Sequence, residues 1–270
     1  MPSENAFDPT RSLPLLWRAH RPPGTSADGE RRGRPPSLSV DAVVAAGVEL
    51  ADAEGIDAVS MRAVAERLGR TPMALYTYVP SKDDLAELMY DHVLGELPAA
   101  YDEDSWCAGV LAWVRAHWTL YLRHPWMVKI GSARPTLGPH EFADLEALSV
   151  ILDAAGLTPV RQVRVMSGLA QLVRGSALLV AETRETTRVT GISETDWWYA
   201  RSAKLDEVAP HLAELIPSLT RLSSAGAYDG ASEDGGDDEP YLEREAREAM
   251  EEAVVLLLDG ATRTPEVGGA

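Results

Sequence analysis

Three observations predict an all-α protein for this 270-residue chain. Apolar residues recur at three- and four-residue spacing through most of it, and no stretch shows the strict alternation of a strand. Serine, threonine and Thr-Pro or Ser-x-x-Asp signals stand repeatedly where helices would begin, with glycine where they would end. Together they predict a small N-terminal helix-turn-helix unit, residues 38–95, followed by a larger helical unit, residues 96–260.

Residues 1–37 are rich in Pro, Arg, Ser and Gly without a sustained period, which predicts a disordered arm. Within them LPLLWRAH is an apolar island, either a docking segment or without a role. Arg31 precedes Arg32-Gly33-Arg34-Pro35, which looks like the core of an AT-hook. Arg32 and Arg34 are therefore candidate minor-groove contacts, the alternative being a solvated linker.

A first helix opens near Ser39 with the apolar stripe Val43, Val44, Gly47, Val48, Leu50 and Ala51. Ser60 is a good N-cap for a second, carrying Met61, Val64, Ala65 and Leu68, and Gly69 ends it by taking a left-handed turn. Thr71 then caps a third, with Pro72 at its first position, where a missing N–H costs nothing. Leu75 and Val79 stand four apart and point inward, leaving Pro72, Met73, Tyr76, Thr77 and Tyr78 outward. Such a face suits base edges, thymine methyls and phosphates, although either tyrosine could instead pack between helices. Ser81 to Asp84 opens the next helix, through Leu85, Leu88, Met89 and Val93, until Pro98 interrupts it.

At these residues the chain resembles the TetR family of one-component transcriptional repressors. The resemblance rests on the leading helix, on Leu75-Tyr76-Thr77, and on Tyr78-Val79 followed by Ser81-Lys82-Asp83-Asp84-Leu85. It covers roughly Ser39 to Val93; beyond that, only helical architecture matches. It implies that Arg62 and Lys82 grip phosphates or groove edges, and that Thr71, Pro72, Met73, Tyr76, Thr77 and Tyr78 lie at the major groove of an operator. Met73 and Ala74 are poor hydrogen-bond partners, so the base preference is not legible.

The net charge of −17 sits awkwardly with DNA binding, and residues 41–100 alone hold four basic against eleven acidic side chains. Arg62, Arg67, Arg70 and Lys82 nevertheless cluster around the motif, and screening over about 8 Å lets a local patch decide the contact. Backbone amides at the helix starts Thr71 and Ser81 add phosphate sites that no charge count records. The acidity still predicts weak non-specific binding.

From Asp104 a long, widely apolar helix begins. Four of the seven tryptophans fall between Trp106 and Trp126, a composition that suits a core or an aromatic-walled pocket. The ligand cavity implied by the resemblance makes Trp113, His117, Trp118, Tyr121, Trp126, Met127, Met166 and Trp197 the candidate ligand contacts. For His117 a hydrogen-bonded core role is the alternative. A helix starts at Thr158-Pro159 and another at Tyr241, the second with Ala246, Ala249, Met250, Ala253, Val254 and Leu257 on one stripe and Glu243/Arg247 and Arg244/Glu248 at i,i+4 spacing. The resemblance implies that these two helices form a four-helix homodimer interface; ordinary intrachain packing is the alternative. Residues 223–240, Gly-rich and acidic, predict a mobile loop, and 261–270 a loose tail.

One cysteine excludes an intramolecular disulfide and a multi-cysteine metal site. His140-Glu141-Phe142-Ala143-Asp144 lacks the second histidine of a zinc-protease motif, and no Walker, GxGxxG or GxSxG sequence occurs. No metal, cofactor or catalytic residue is expected, and the absence of a signal peptide or an uninterrupted apolar span predicts a cytoplasmic protein without a membrane partner. The function expected is a homodimeric repressor released from a palindromic double-stranded DNA operator by a small hydrophobic or aromatic effector. The alternatives are a ligand-unresponsive regulator and a helical small-molecule enzyme.

Overall fold

The computed structural model describes residues 8–20, 38–130, 134–227 and 240–263. Arg32 and Arg34 lie outside them, as do residues 228–239 of the expected acidic loop. The described residues form twelve α-helices and three 3-10 turns, with no strand among them.

Helix α1, Leu13–Leu16, is a single turn followed by a 3-10 turn at Arg18–His20. The expectation of a wholly disordered arm is corrected here. Leu16 is buried in the core, because the apolar island has a helix surface to cover. Next come α2 (Val40–Glu54), α3 (Met61–Arg67), α4 (Pro72–Tyr76) and α5 (Lys82–Leu94), which make up the head. Ser39, Ser60 and Ser81 each accept a hydrogen bond from the backbone N–H three residues on, at 3.1 Å. Gly69, at φ 63°, closes α3: its N–H reaches Glu66 O at 3.0 Å and Arg70 N–H reaches Ala65 O at 2.8 Å. That is the paired bonding of a Schellman stop.

The body consists of α6 (Trp106–Arg123), α7 (Pro139–Asp153), α8 (Pro159–Thr190), α9 (Glu194–Val208), α10 (Leu212–Leu215), α11 (Pro217–Ser224) and α12 (Tyr241–Arg263). Helix α8 is its spine, packed on α6, α7 and α12. It is long and apolar enough to cross a bilayer, a property hidden in the sequence because arginines interrupt its apolar run. Helix α12 continues through Gly260 to Arg263, beyond the boundary expected at residue 260. The i,i+4 pairing expected for Glu243 is replaced by a stronger one: its carboxylate is buried and accepts both Nε and Nη2 of Arg184 from α8 at 2.7 Å.

Head and body meet along α5 and α7. Asp91 of α5, buried, accepts the first free N–H groups of α7, from His140 at 3.1 Å and Glu141 at 3.0 Å, and His140 Nδ1 lies 2.9 Å away. A carboxylate on a helix N-terminus is favourable both as a cap and against the dipole. The backbone at Gly138 runs so close that an added Cβ would lie 2.1 Å from Asp91 Oδ1. A second junction joins Asp52 of α2 to the turn Pro125–Val128. Its Oδ1 faces His124 Nδ1 at 2.7 Å and accepts Trp126 Nε1 at 2.7 Å.

Candidate nucleic-acid interface and ligand cavity

The outward face of the motif is built by what the inward face buries. Leu75 and Val79 are fully buried, which turns Thr71, Pro72, Met73, Tyr76 and Thr77 to solvent. Met73 is 75 % and Tyr76 45 % exposed, and no other large apolar residue between 38 and 95 is exposed. The helix is shorter than expected, ending at Tyr76, and Thr71 occupies the N-cap position without a side-chain cap bond. Tyr78 is corrected inward: it is half-buried and packs against the core, because Val79 before Pro80 leaves the helix and draws it in.

Charge separates three of the basic residues of the motif. Arg67 is held by Glu49 through two bonds of 3.1 and 2.8 Å. Arg62 and Lys82 are exposed and have no carboxylate partner among the described residues. These two cations flank the α4 face.

The cavity, of about 780 Å³, opens between α5, α6, α7 and α8. Trp113, His117, Tyr121 and Met166, four of the candidate ligand contacts, line it. His117 Nε2 faces Asp144 Oδ2 at 3.1 Å and its Nδ1 faces Trp113 O at 3.0 Å. Trp113 Nε1 donates to Asp144 Oδ1 at 2.8 Å, fixing two rings and one carboxylate as a unit. Tyr90 and Tyr121 hydrogen-bond to one another, and burial raises both phenols above their ordinary range.

The other four expected ligand contacts lie elsewhere. Trp118 is buried on a face of α6 about 140° round from Trp113. Trp126 is committed to Asp52, and Met127 is fully buried in the core with its carbonyl bound by Arg174 at 3.3 Å. Trp197 is 44 % exposed on α9, with the Arg201 guanidinium 4.9 Å above its ring. Aromatic content marked the region but could not tell which side of each helix faces the void.

Sequence reasoning missed Glu87, Tyr90 and Leu94 on α5, Glu141 and Asp144 on α7, and Arg174 on α8. A signal existed for the first group: Glu87, Tyr90 and Leu94 form their own helical stripe beside the core stripe Leu85, Leu88 and Met89. Arg174 gave none, since it reaches the carbonyls of Val128 and Ile130, more than forty residues away in sequence, at 2.5 and 2.8 Å.

A helix-turn-helix with an exposed reading face, joined through one shared helix to a helical body with an aromatic cavity, defines a one-component DNA-binding regulator. Comparison with known proteins agrees. Residues 43–89 match the bacterial regulatory proteins of the tetR family, and residues 97–232 match the tetracyclin repressor-like C-terminal domain. The HTH-type transcriptional repressor DrrR1 of Streptomyces coeruleorubidus is 37 % identical over 203 residues, covering 74 % of this chain and 73 % of its own length. ActR of Streptomyces coelicolor, in complex with actinorhodin, superposes with a TM-score of 0.66 at 26 % identity, over 85 % of this chain and 99 % of ActR. TetR-Q116A of Acinetobacter baumannii AYE, in complex with minocycline, gives 0.51 at 25 %, over 66 % and 98 %.

The chain belongs to the TetR family. As a member it is a DNA-binding transcriptional regulator.

Proposed function

We propose that Thr71, Pro72, Met73, Tyr76 and Thr77 read the major groove of one operator half-site, while Arg62 and Lys82 grip the flanking phosphates. The observation that carries this reading is the placement of Met73 and Tyr76. A head that buries its other large apolar side chains exposes these two side by side on the one helix whose geometry suits a groove. Arg32 and Arg34, outside the described residues, are assigned to the same DNA from their RGRP sequence alone. Tyr78 supports α4 from behind.

The effector occupies the cavity between α5 and α8, and its class follows from the walls. Trp113, Tyr121, Leu148 and Met166 offer a flat apolar slot, and Glu87, Asp144 and Arg174 offer polar ends. ActR bound to actinorhodin and a tetracycline repressor bound to minocycline support a polycyclic aromatic compound of comparable size. Because α5 both lines the cavity and packs on α2, a ligand that prefers one position of α5 shifts the head with it. A coupling of about 1–3 kcal/mol changes operator affinity roughly 5- to 150-fold.

We assign residues 38–95 to DNA reading and residues 96–263 to effector binding and dimerisation. The dimer forms through α8 and α12, whose exposed Leu179, Val255 and Leu256 need a partner. A regulator of this kind works in the cytoplasm. The test is fluorescence anisotropy of the dimer against tiled fragments of its own upstream DNA at fixed salt with scrambled competitor. Saturable binding to one fragment is expected; equal affinity for every fragment and for the scrambled control contradicts the reading.

A further inference from the structure

Residues 8–20 touch both ends of the allosteric path. At one end Arg11 Nε donates to Asp84 Oδ2 and its Nη2 to Ser81 Oγ, both at 2.8 Å. Ser81 and Asp84 are the cap of α5, immediately after the reading helix, with Ser81 Oγ donating to Asp84 Oδ2 at 2.6 Å. In the middle, Leu16 is buried in the core and Arg18 pairs with Asp41 in the first turn of α2. At the other end Trp17 Nε1 donates to Leu137 O at 2.8 Å, and its ring lies 6.1 Å from that of Phe142.

Leu137 is an unusual place to tie a strap. It is the one non-glycine among the described residues with a positive φ, 54°, in the left-handed region that a leucine rarely adopts. Two contacts hold it there: the bond from Trp17, and its own N–H donated to Glu141 Oε2 at 2.7 Å. Thr136 Oγ1 donates to the same Glu141 oxygen at 2.8 Å, and both Thr136 and Glu141 line the cavity. Strain of this kind persists only where surrounding contacts over-determine it, and here one of those contacts belongs to the cavity wall.

We propose that residues 8–20 form a regulatory strap that links occupancy of the cavity to the cap of α5. The inference rests on the reading that the cavity holds the effector. A ligand that engages Glu141 takes away the acceptor of Leu137 N–H. Leu137 then relaxes to negative φ, its carbonyl turns away from Trp17, and the strap loosens. Arg11 no longer braces Ser81 and Asp84, and the corner between α4 and α5 gains freedom. The α5–α7 contact through Asp91, which accepts the Glu141 backbone N–H, is a second route that shares Glu141 with the strap, so the strap tunes the response rather than carrying all of it.

Amide hydrogen exchange on the full-length, DNA-free dimer tests this, comparing the wild type with Trp17→Phe and Arg11→Gln. Trp17→Phe keeps an aromatic ring but removes the indole N–H together with the five-membered ring that carries it, and Arg11→Gln alters only the contacts at the α5 end. If the strap couples its ends, each variant changes the far end. Arg11→Gln speeds exchange at least three-fold at residues 136–142, and Trp17→Phe does the same at residues 81–87, while α8 stays as protected as in the wild type. Changes confined to each variant's own contact would overturn the proposal. The measurement needs no operator and no effector. A protein that failed to bind DNA would sink the functional reading and leave this test standing.

Discussion

The head and the body bury their apolar residues in different ways, and the contrast says what each is for. Between residues 38 and 95 the interior is closed: Val43, Val64, Leu75, Val79, Leu85, Met89 and Val93 are almost wholly buried, and only Met73 and Tyr76 stand out. In the body, exposed apolar residues run along α8, α9, α11 and α12, from Val160 and Leu179 to Trp198, Leu222 and Leu256. Among the described residues, helices α9 to α11 barely pack on the rest of the chain. The head is a closed fold with one exposed apolar patch, Met73 and Tyr76. The body is half of a fold, because apolar surface on that scale calls for another protein surface.

That contrast can be broken most severely at the junction. Gly138→Ala drives a methyl into the buried Asp91 carboxylate, which is already committed to α7. We expect a loss of about 3 kcal/mol in a denaturant titration, with exchange protection falling in both α5 and α7. An unchanged midpoint would mean that head and body are not joined there.

The body's incompleteness is tested next. Leu256, 63 % exposed on α12, becomes buried if α12 forms the dimer. Leu256→Asp is then expected to weaken association by about 2 kcal/mol, or more than tenfold, in a sedimentation dilution series. The helical circular dichroism should stay unchanged. A dimer as tight as the wild type would move the interface elsewhere.

A smaller effect separates body stability from pH. Arg115 donates to both oxygens of Glu251, at 2.9 and 2.7 Å, tying α6 to α12. That hydrogen bonding holds the Glu251 carboxyl below its ordinary value of 4.5, against the opposing effect of burial. A lowered folded-state value contributes stability that is full above pH 4.5 and is lost as pH falls through the folded value. With Arg115 largely solvated, the contribution is about 0.5 kcal/mol. Thermal melts of wild type and Glu251→Gln should differ at pH 7 and converge as pH falls below the folded-state value. A gap that persisted into acid would show that the pair is not its source.

The head was almost fully legible in the sequence, and the reason is local. Caps at Ser39, Ser60 and Ser81, the stop at Gly69 and the inward pair Leu75 and Val79 are decided within a turn or two of chain. Tyr78 was the exception, since whether it pointed out or in depended on Pro80 ending the helix. The cavity was half legible. Trp113, His117, Tyr121 and Met166 advertise themselves by residue type, whereas Asp144, Glu141 and Arg174 gain their roles from partners on other helices. Trp118 and Trp126 misled because an indole serves a core as well as a pocket. The docking of Leu16 and Trp17 could not be read either, because both depend on α5 and on a strained leucine some 120 residues on.

The account turns on the exposed face of α4. The measurement that tests it most directly is an anisotropy titration of the operator fragment with wild type, Tyr76→Ala and Lys82→Ala, each verified as a folded dimer. Tyr76→Ala should weaken specific binding by about 1–3 kcal/mol while scarcely changing affinity for scrambled DNA. Lys82→Ala should weaken both and reduce the salt dependence by about one phosphate contact. Wild-type operator affinity in Tyr76→Ala would contradict the assignment of α4 as the reading helix.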